Sequence, residues 1–596
     1  VGSLEIAWEY HTGDVSNGSS EIPSETAFEA TPILVDNTMY VPTPFNRIIA
    51  LNPETGQEKW VFDPKIDLKG HYANQLICRG VAYWKDGTCS NEPCEERIFM
   101  GTNDARLVAV DAKSGQAVSG FGLNGEVDLN KGVGEQWWKG EYQVTSPPVI
   151  CNDMVIVGSA VGDNTRTTAP SGVVRAYNAK DGSLQWSWDL APPMDSLGER
   201  PLSDGGYTLS TPNVWAPMSV DVENDLVFVP TGNPTPDYYR GEGNNIDFYG
   251  SSVVALRGST GEIVWNYQTV HRDLWDFDVP AQPTLTDIEK DGATIPVVIQ
   301  ATKMGLFFVL NRLTGEPVFP IEERTVPQTD VPGESTSPTQ PYPVKPLPLI
   351  RHNMSEEDIW RPLGLQGDCL AKFKEMYYDG AYTPPKVNQP TLMYPGNSGG
   401  SNWGGIAVDQ EKQIMVANVM DVPWIVTLIP SENYEEERKK NPGVEYGQQK
   451  GTPFAMRREM FVSSLGLPCV KPPWGTLSAI DLKTGDILWQ EPFGTVRDLA
   501  PVPLKIKYGV PNLGGPLITA SGLIFIAATM DNFIRAFDIK TGKRVWESRL
   551  PAGGQATPMT YRTGPDQKQY VVICAGGHGR AGTKLGDSII AYSLSD

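Results

Sequence analysis

One pattern returns along the chain: a small or apolar pair, an aromatic residue or Leu, a polar residue, then Gly and, after a short spacer, Trp. It reads Ala50-Leu51-Asn52-Pro53-Glu54-Thr55-Gly56-Gln57-Glu58-Lys59-Trp60, then Val108-Ala109-Val110-Asp111 with Gly115, and Ala176-Tyr177-Asn178 with Gly182 and Trp186. Ala255-Leu256-Arg257 with Gly261 and Trp265, and Val309-Leu310-Asn311 with Gly315, come next. Ala479-Ile480-Asp481 with Gly485 and Trp489, and Ala536-Phe537-Asp538 with Gly542 and Trp546, complete the set. The apolar pair belongs to a strand, and Asp or Asn with the later Gly makes a tight turn. The Trp begins the next strand, where it can cover the joint between neighbouring sheets. An eighth copy is split between Ile590-Ala591-Tyr592-Ser593-Leu594 and Ala7-Trp8-Glu9-Tyr10, as in a ring whose last sheet is closed from both ends. Most spacings fall between 54 residues (Leu256 to Leu310) and 79 (Tyr177 to Leu256). Radial repetition of short-stranded sheets is the architecture such periods imply. The expected fold is all-β, one eight-bladed β-propeller over residues 1–596.

The gap from Leu310 to Ile480 is much longer, and two insertions fill it. Residues 320–400 are Pro-rich and irregular, with a short helix expected around Ser355–Trp360. Residues 430–470 are charged, with a helical stretch expected before Cys469. Between them, 405–416 reads as a hairpin, the same device as 218–229. Cys369 and Cys469 sit in the two insertions, and a disulfide is expected there, with Cys78–Cys94 as a second. Both pairs imply an oxidising compartment, against the alternative of seven reduced thiols in a cytosolic protein.

Composition narrows the function. Lys and Arg number 49 against 71 Asp and Glu, a formal charge of −22, which argues against nucleic acid and anionic membrane as partners. No apolar run is long enough to span a bilayer, and VGSLEIAWEY has neither a basic nor an apolar leader region. The expectation is a cytosolic chain, or a mature periplasmic or secreted one. The seven Cys form no CxxC or vicinal pair and the five His have no ligand spacing, which excludes zinc-ribbon, c-type haem and zinc-enzyme readings.

Chemistry in a propeller sits where inner strand ends and loops converge, so candidate loops should recur at one phase of the repeat. Gly158–Asn164 contains Asp163, Thr231–Asp237 contains Asn233 and Thr235, and Trp275-Asp276-Phe277-Asp278 follows the repeat Trp at 265. Each puts an oxygen ligand at a strand end, and oxygen-only sets select a hard cation, Ca²⁺ or Mg²⁺. Turn chemistry explains Gly-Asp-Asn and Gly-Asn-Pro equally well. Lys303, where the strand Pro296–Ala301 breaks, and the acidic knot His271–Asp278 supply what a base and an electrophilic partner require.

The Trp/Gly repeat resembles that of the pyrroloquinoline-quinone (PQQ) dehydrogenases, and the loops resemble their membrane glucose and quinate dehydrogenase branch. The likeness is carried by Ser210-Thr211-Pro212-Asn213-Val214-Trp215-Ala216-Pro217, His271–Asp276, Ala301-Thr302-Lys303, Cys78-Arg79-Gly80-Val81 and Thr145-Ser146-Pro147-Pro148. Leu513-Gly514-Gly515-Pro516 and Ala575-Gly576-Gly577-His578-Gly579 extend it, so that it runs from Trp8 to Tyr592. The resemblance implies a metal site of Asp163, Asn233 and Asp276, with Thr235 as a further candidate. Asp276 would also be the general base and Lys303 the group that steadies negative charge on the quinone oxygens. Trp215 would be the floor under the cofactor ring, and Arg79, Thr145, Ser146, Asn402 and Trp403 would grip its carboxylates and rim. Asp531 and His578 would lie near the channel mouth. Asp278 matches the extra acid of lanthanide-using relatives, an acid this branch often carries.

The chain departs from the family's alcohol branch in having no vicinal disulfide. It departs from the glucose enzymes in having Gln75 where they carry histidine, and their amino-terminal membrane helices are not in this sequence, from which a soluble enzyme or a trimmed periplasmic portion is expected. The implied activity is oxidation of a polyol, sugar or cyclic hydroxy compound by hydride transfer to PQQ, with Ca²⁺, Mg²⁺ or a lanthanide. Ubiquinone or an external soluble carrier would accept the electrons. The alternative is a non-catalytic eight-bladed scaffold for protein partners, which has no need of Asp163, Asn233, Asp276, Lys303 and Trp215 together at strand ends.

Overall fold

The computed structural model describes residues 2–87, 95–193, 201–362, 367–499, 505–564 and 567–595. Its repeat strands form seven antiparallel four-stranded sheets and one of three strands, Thr284–Lys290, Ala293–Ala301 and Phe307–Asn311. Strand alternation places each sheet between two neighbours. Val298 and Leu310 pack back onto Phe228 and Ala255, whereas Val297, Ile299 and Val309 pack forward onto Met415 and Ala417. The sheet that joins the chain's two ends pairs Leu4–His11 with Ser588–Leu594, Leu4 opposite Leu594 and His11 opposite Ser588. Its apolar cluster reaches back to Phe525 and Ile534 and forward to Val41 and Ile49, which closes the ring.

The repeat has a physical explanation in these joints. Across each ladder the Trp stands opposite the repeat's Ala (Ala50↔Trp60, Ala176↔Trp186, Ala255↔Trp265, Ala479↔Trp489, Ala536↔Trp546). The indole then lies on the turn Gly of the following sheet. A Cβ built on Gly56 would meet Trp8 at 2.6 Å, one on Gly115 Trp60 at 2.5 Å, and one on Gly261 Trp186 at 2.5 Å. Gly315 and Gly542 stand in the same relation to Trp265 and Trp489. Trp8, Trp186, Trp265 and Trp489 also donate their indole N–H to Pro53 O, Gly258 O, Arg312 O and Ile539 O at 2.8–3.1 Å. Where the preceding copy has no Trp the Gly meets something else, Gly122 for Gly182 and the Lys345 side chain for Gly485.

Both insertions feed one additional sheet. Thr391–Met393 comes from the first, and Trp424–Pro430, Phe454–Met460 and Glu445–Gly447 from the second. The second insertion is wider than the sequence indicates, because Met420 and Gly475 are already partners in the repeat sheet. The expected short helix is a 3-10 turn, Glu356–Asp358, capped by Ser355, and the charged run forms the helix Tyr434–Lys440. A further helix, Gly367–Glu375, carries Cys369 to its disulfide with Cys469 (Cα–Cα 5.4 Å). The expected Cys78–Cys94 bond is not formed. Cys78 is a buried free thiol that points back to Gly80 O and packs between two sheets, while Cys94 lies outside the described residues. Among the described residues no helix is long and apolar enough to cross a membrane.

The Trp–Gly joint makes a definite prediction. Trp265→Ala is expected to cost about 3–5 kcal/mol. Gly315→Ala, at φ 77° and against the same ring, is expected to cost more than about 1 kcal/mol. Gly120→Ala, in open space, is the control expected near zero. Denaturant unfolding of the three variants checks it, and equal behaviour of Gly315 and Gly120 would refute the joint.

Candidate active site

The loops singled out by the repeat phase converge on one cavity of about 220 Å³. Arg79, Thr145, Asp163, Trp215, Asn233, Asp276, Lys303, Asn402 and Trp403 line it, with Gln75, Asp278 and His578. Residues 274–278 belong to no strand and Asp276 has a left-handed backbone (φ 60°), so the acids reach this place on an irregular turn anchored by its aromatic residues. Trp275 and Phe277 turn into the core, stacked at 6.1 Å and packed on Tyr382, with the Trp275 N–H on Thr383 O at 2.8 Å. With those rings anchored, Asp276 and Asp278 line the cavity. Asp273 caps the segment by accepting from Trp275 N (2.9 Å) and Ser251 Oγ (2.7 Å).

Lys303 follows the strand Ala293–Ala301 and is the hub of the acidic wall. Its Nζ reaches Asp276 Oδ1 at 2.7 Å, Asp276 O at 2.9 Å and Asp278 Oδ1 at 2.5 Å. Asp278 Oδ2 in turn accepts the Trp215 indole N–H at 2.6 Å, which fixes that ring. Burial pushes the Asp276 carboxyl up, but Lys303 and Arg458 outweigh it and hold the group below its ordinary range. Asp278 is lifted to about 6 by burial and by Asp276, against the pull of Lys303. Asp163 is lifted to about 7 by burial and by the charges of Asp276 and Asp278. Its side chain is exposed to the cavity, so it is reachable by a small ion. Lys303 is held protonated: burial opposes its charge, and Asp276 and Asp278 more than restore it.

The opposite wall is built on Arg79. Its Nε meets buried Glu29 at 2.8 Å and its Nη1 donates to Thr145 Oγ1 at 2.9 Å, while the guanidinium stands 5.3 and 5.6 Å from the Trp215 and Trp403 rings. Ser146 sits one layer back, donating to Trp215 O at 2.6 Å. Burial, then Arg79 and Arg580, lowers His578 to about 4, so a neutral imidazole makes the 3.3 Å contact with Glu29. Asp531 is elsewhere, in a buried pair with Arg535.

Thr235 is the one predicted ligand that misses the cavity. It lines a separate cleft with Tyr239 and Arg240, and Asp237, two residues on, takes the place at the cavity wall. Asp237 was legible as an acid in the same loop. Asn397 and Arg458 were not, because they come from insertions without repeat phase. They hold Asp276 Oδ2 at 3.1 and 2.9 Å.

The cavity suits a polar cofactor and a cation. Gln75 Nε2, Asn213 Oδ1 and Asn233 Nδ2 are buried beside it without a protein partner. Lys303 and Arg458 are the cations that act on Asp163, Asp237, Asp276 and Asp278, so this wall carries more acids than bases. Among the described residues no three Asp, Glu, His or Cys side chains enclose a metal by themselves, so amide and cofactor oxygens would have to complete its shell.

The chain belongs to the PQQ family described as glucose/ethanol/alcohol dehydrogenase, beta-propeller domain, which matches residues 1–571. It is 41% identical to quinoprotein glucose dehydrogenase A of Acinetobacter calcoaceticus, over 100% of this chain and 76% of that protein. It is 38% identical to quinate/shikimate dehydrogenase (quinone) of Acinetobacter baylyi, again over 100% and 76%. The crystal structure of quinohemoprotein alcohol dehydrogenase from Comamonas testosteroni has the same fold, with a TM-score of 0.68 at 23% identity over 99% of this chain and 76% of that one.

Glu29 gives the cavity a pH signature. Burial raises it from 4.5 to about 7 against the pull of Arg79. A raised native value means that its contribution to stability is full below pH 4.5 and is lost as pH rises through about 7. The stability of the wild type relative to Glu29→Gln is therefore expected to fall across that window, read by unfolding at a series of pH values. A constant difference would show that the carboxyl is not buried as described.

Proposed function

We propose that this cavity oxidises an alcohol group of a polyol, sugar or cyclic hydroxy compound, with PQQ as hydride acceptor and a quinone or external carrier removing the electrons. One observation carries the reading: inside a cavity shared with Asp163, Asp237 and Asp278, Lys303 at 2.7 Å and Arg458 at 2.9 Å clamp Asp276 and favour its ionised form, while the other three carboxyls are lifted. Sites that push neighbouring acids apart assign one of them as base. When bound, PQQ supplies the quinone that takes the hydride, and a divalent cation polarises its carbonyl.

This chain's own residues do the remainder. Asp276 takes the proton of the substrate hydroxyl. Lys303, already charged, would steady negative charge on the quinone oxygens. Trp215, fixed by Asp278, offers the flat apolar floor. Arg79 would pair with the cofactor's carboxylates, with Thr145, Asn402 and Trp403 gripping its rim and Ser146 supporting them from behind. Asp163 and Asn233, with Asp276, would hold the cation. Ca²⁺, then Mg²⁺, fits oxygen ligands, and Asp278 leaves a lanthanide open. Relatives of nearly equal identity are named for glucose and for quinate, so overall likeness does not select a substrate. Gln75, buried on the cavity wall, is a position that can. The Cys369–Cys469 disulfide supports an oxidising location, periplasmic or secreted.

The test is dye-linked oxidation by the apo-protein, with and without PQQ and Ca²⁺, across sugars, polyols, quinate and bulkier secondary alcohols. Activity is expected to depend on both additions. Asp276→Asn is expected to abolish turnover, and Lys303→Ala to lose about 3 kcal/mol or more of transition-state stabilisation. Substantial activity in Asp276→Asn would remove it as the base, and a near-normal rate in Lys303→Ala would remove the lysine from the mechanism.

A further inference from the structure

The two oxygens of Asp276 are held by different parts of the chain. Lys303, from the propeller, takes Oδ1, whereas both donors on Oδ2 come from the inserted regions, Asn397 at 3.1 Å and Arg458 at 2.9 Å. Arg458 lies on the inserted strand Phe454–Met460 with 14% of its side chain exposed. Its Nε and Nη2 fork onto Glu445 Oε2 and Oε1 at 2.8 and 2.7 Å, and its Nη1 also donates to the buried Tyr238 hydroxyl at 3.1 Å. The guanidinium is thus fixed by three hydrogen bonds to two residues, Glu445 and Tyr238, besides the one to Asp276.

We propose that Arg458, with Asn397, is a positioning residue for Asp276, so that the insertions complete a proton-accepting site the propeller alone leaves unfinished. The inference rests on the reading of Asp276 as the base. A carboxylate free to rotate about its last bond presents its lone pairs in many directions. Donors on both oxygens hold its plane, and an error of about 1 Å at such a group costs on the order of 100-fold in rate. Arg458 does not serve as an anchor for a substrate anion. Its Nε, Nη1 and Nη2 are all engaged, and no fork remains to receive a second carboxylate. A lysine, with a single charged point, reproduces the charge but not the fork.

The experiment uses the full chain reconstituted with PQQ and Ca²⁺ and the best substrate of the panel. Arg458→Gln is expected to lower kcat about 10- to 100-fold, with KM moving less than about three-fold. Its affinity for PQQ, read by tryptophan fluorescence, is expected to stay unchanged. Arg458→Lys is expected to restore part of the rate. Glu445→Gln, at a side chain 52% exposed and so expected to fold normally, should give an intermediate loss by loosening the fork. Substrate deuterated at the carbinol carbon should show a larger isotope effect in Arg458→Gln than in wild type. Unchanged kcat in both Arg458→Gln and Glu445→Gln, or a loss confined to KM, overturns the positioning role. Retained turnover in Asp276→Asn overturns the base reading instead, so the two failures are distinguishable.

Discussion

The ring depends on a contact repeated from sheet to sheet, an indole lying on a glycine. A turn that must accept an aromatic face within van der Waals reach has no room for a Cβ, and at Gly56, Gly115, Gly261, Gly315 and Gly542 the backbone is also in the left-handed region. Flat indoles let successive sheets approach closely at their outer turns, while the alternating Val, Ile and Ala of the strands fill the joints further in. Copies without Trp show that the geometry can be met in other ways, by Gly122 or by the aliphatic stem of Lys345. The repeat is a rule about space, and residue identity follows from it.

Buried aromatic rings also deliver the chemistry, on a turn instead of a strand. Over 274–278 each aromatic ring buried in the core alternates with a carboxylate that faces the cavity, so the core pays for exposing the acids by swallowing Trp275 and Phe277. Those acids would repel one another without Lys303, which touches two of them, and Arg458, which touches one. Removing one partner from such a buried set leaves an uncompensated charge and is far more costly than exchanging a surface pair. Rigidity at the site is therefore electrostatic as much as steric.

Much of this was legible before any coordinate. The Trp/Gly spacing defined the sheets, the split copy Trp8/Ala591 defined the closure, and strand-end phase singled out the loops of Asp163, Asn233 and Asp276, which the family resemblance joined with Lys303 into one site. What escaped lay where the periodicity stops. Nothing in the sequence of the insertions states that Thr391–Met393 will pair with Trp424–Pro430, or that Arg458 will point at an acid 182 residues away. Thr235 and Asp237 show a finer limit. Both are oxygen-bearing members of one loop, and only the path of the backbone decides which of them faces the cavity. Cys78 shows another, since proximity in sequence to Cys94 says nothing about the sheet interface into which the thiol is packed.

Insertions of this kind are usually regarded as exchangeable decoration around a conserved engine. Here Arg458 of the added sheet and Asn397 of the loop after Thr391–Met393 are hydrogen-bonded directly to Asp276, on an oxygen the propeller itself does not hold. Grafting the loops of a relative onto this ring would thus exchange part of the engine along with the decoration. Chimaeras would vary in speed as well as in selectivity, and engineering the one independently of the other would have to begin by keeping Asn397, Glu445 and Arg458 as a unit.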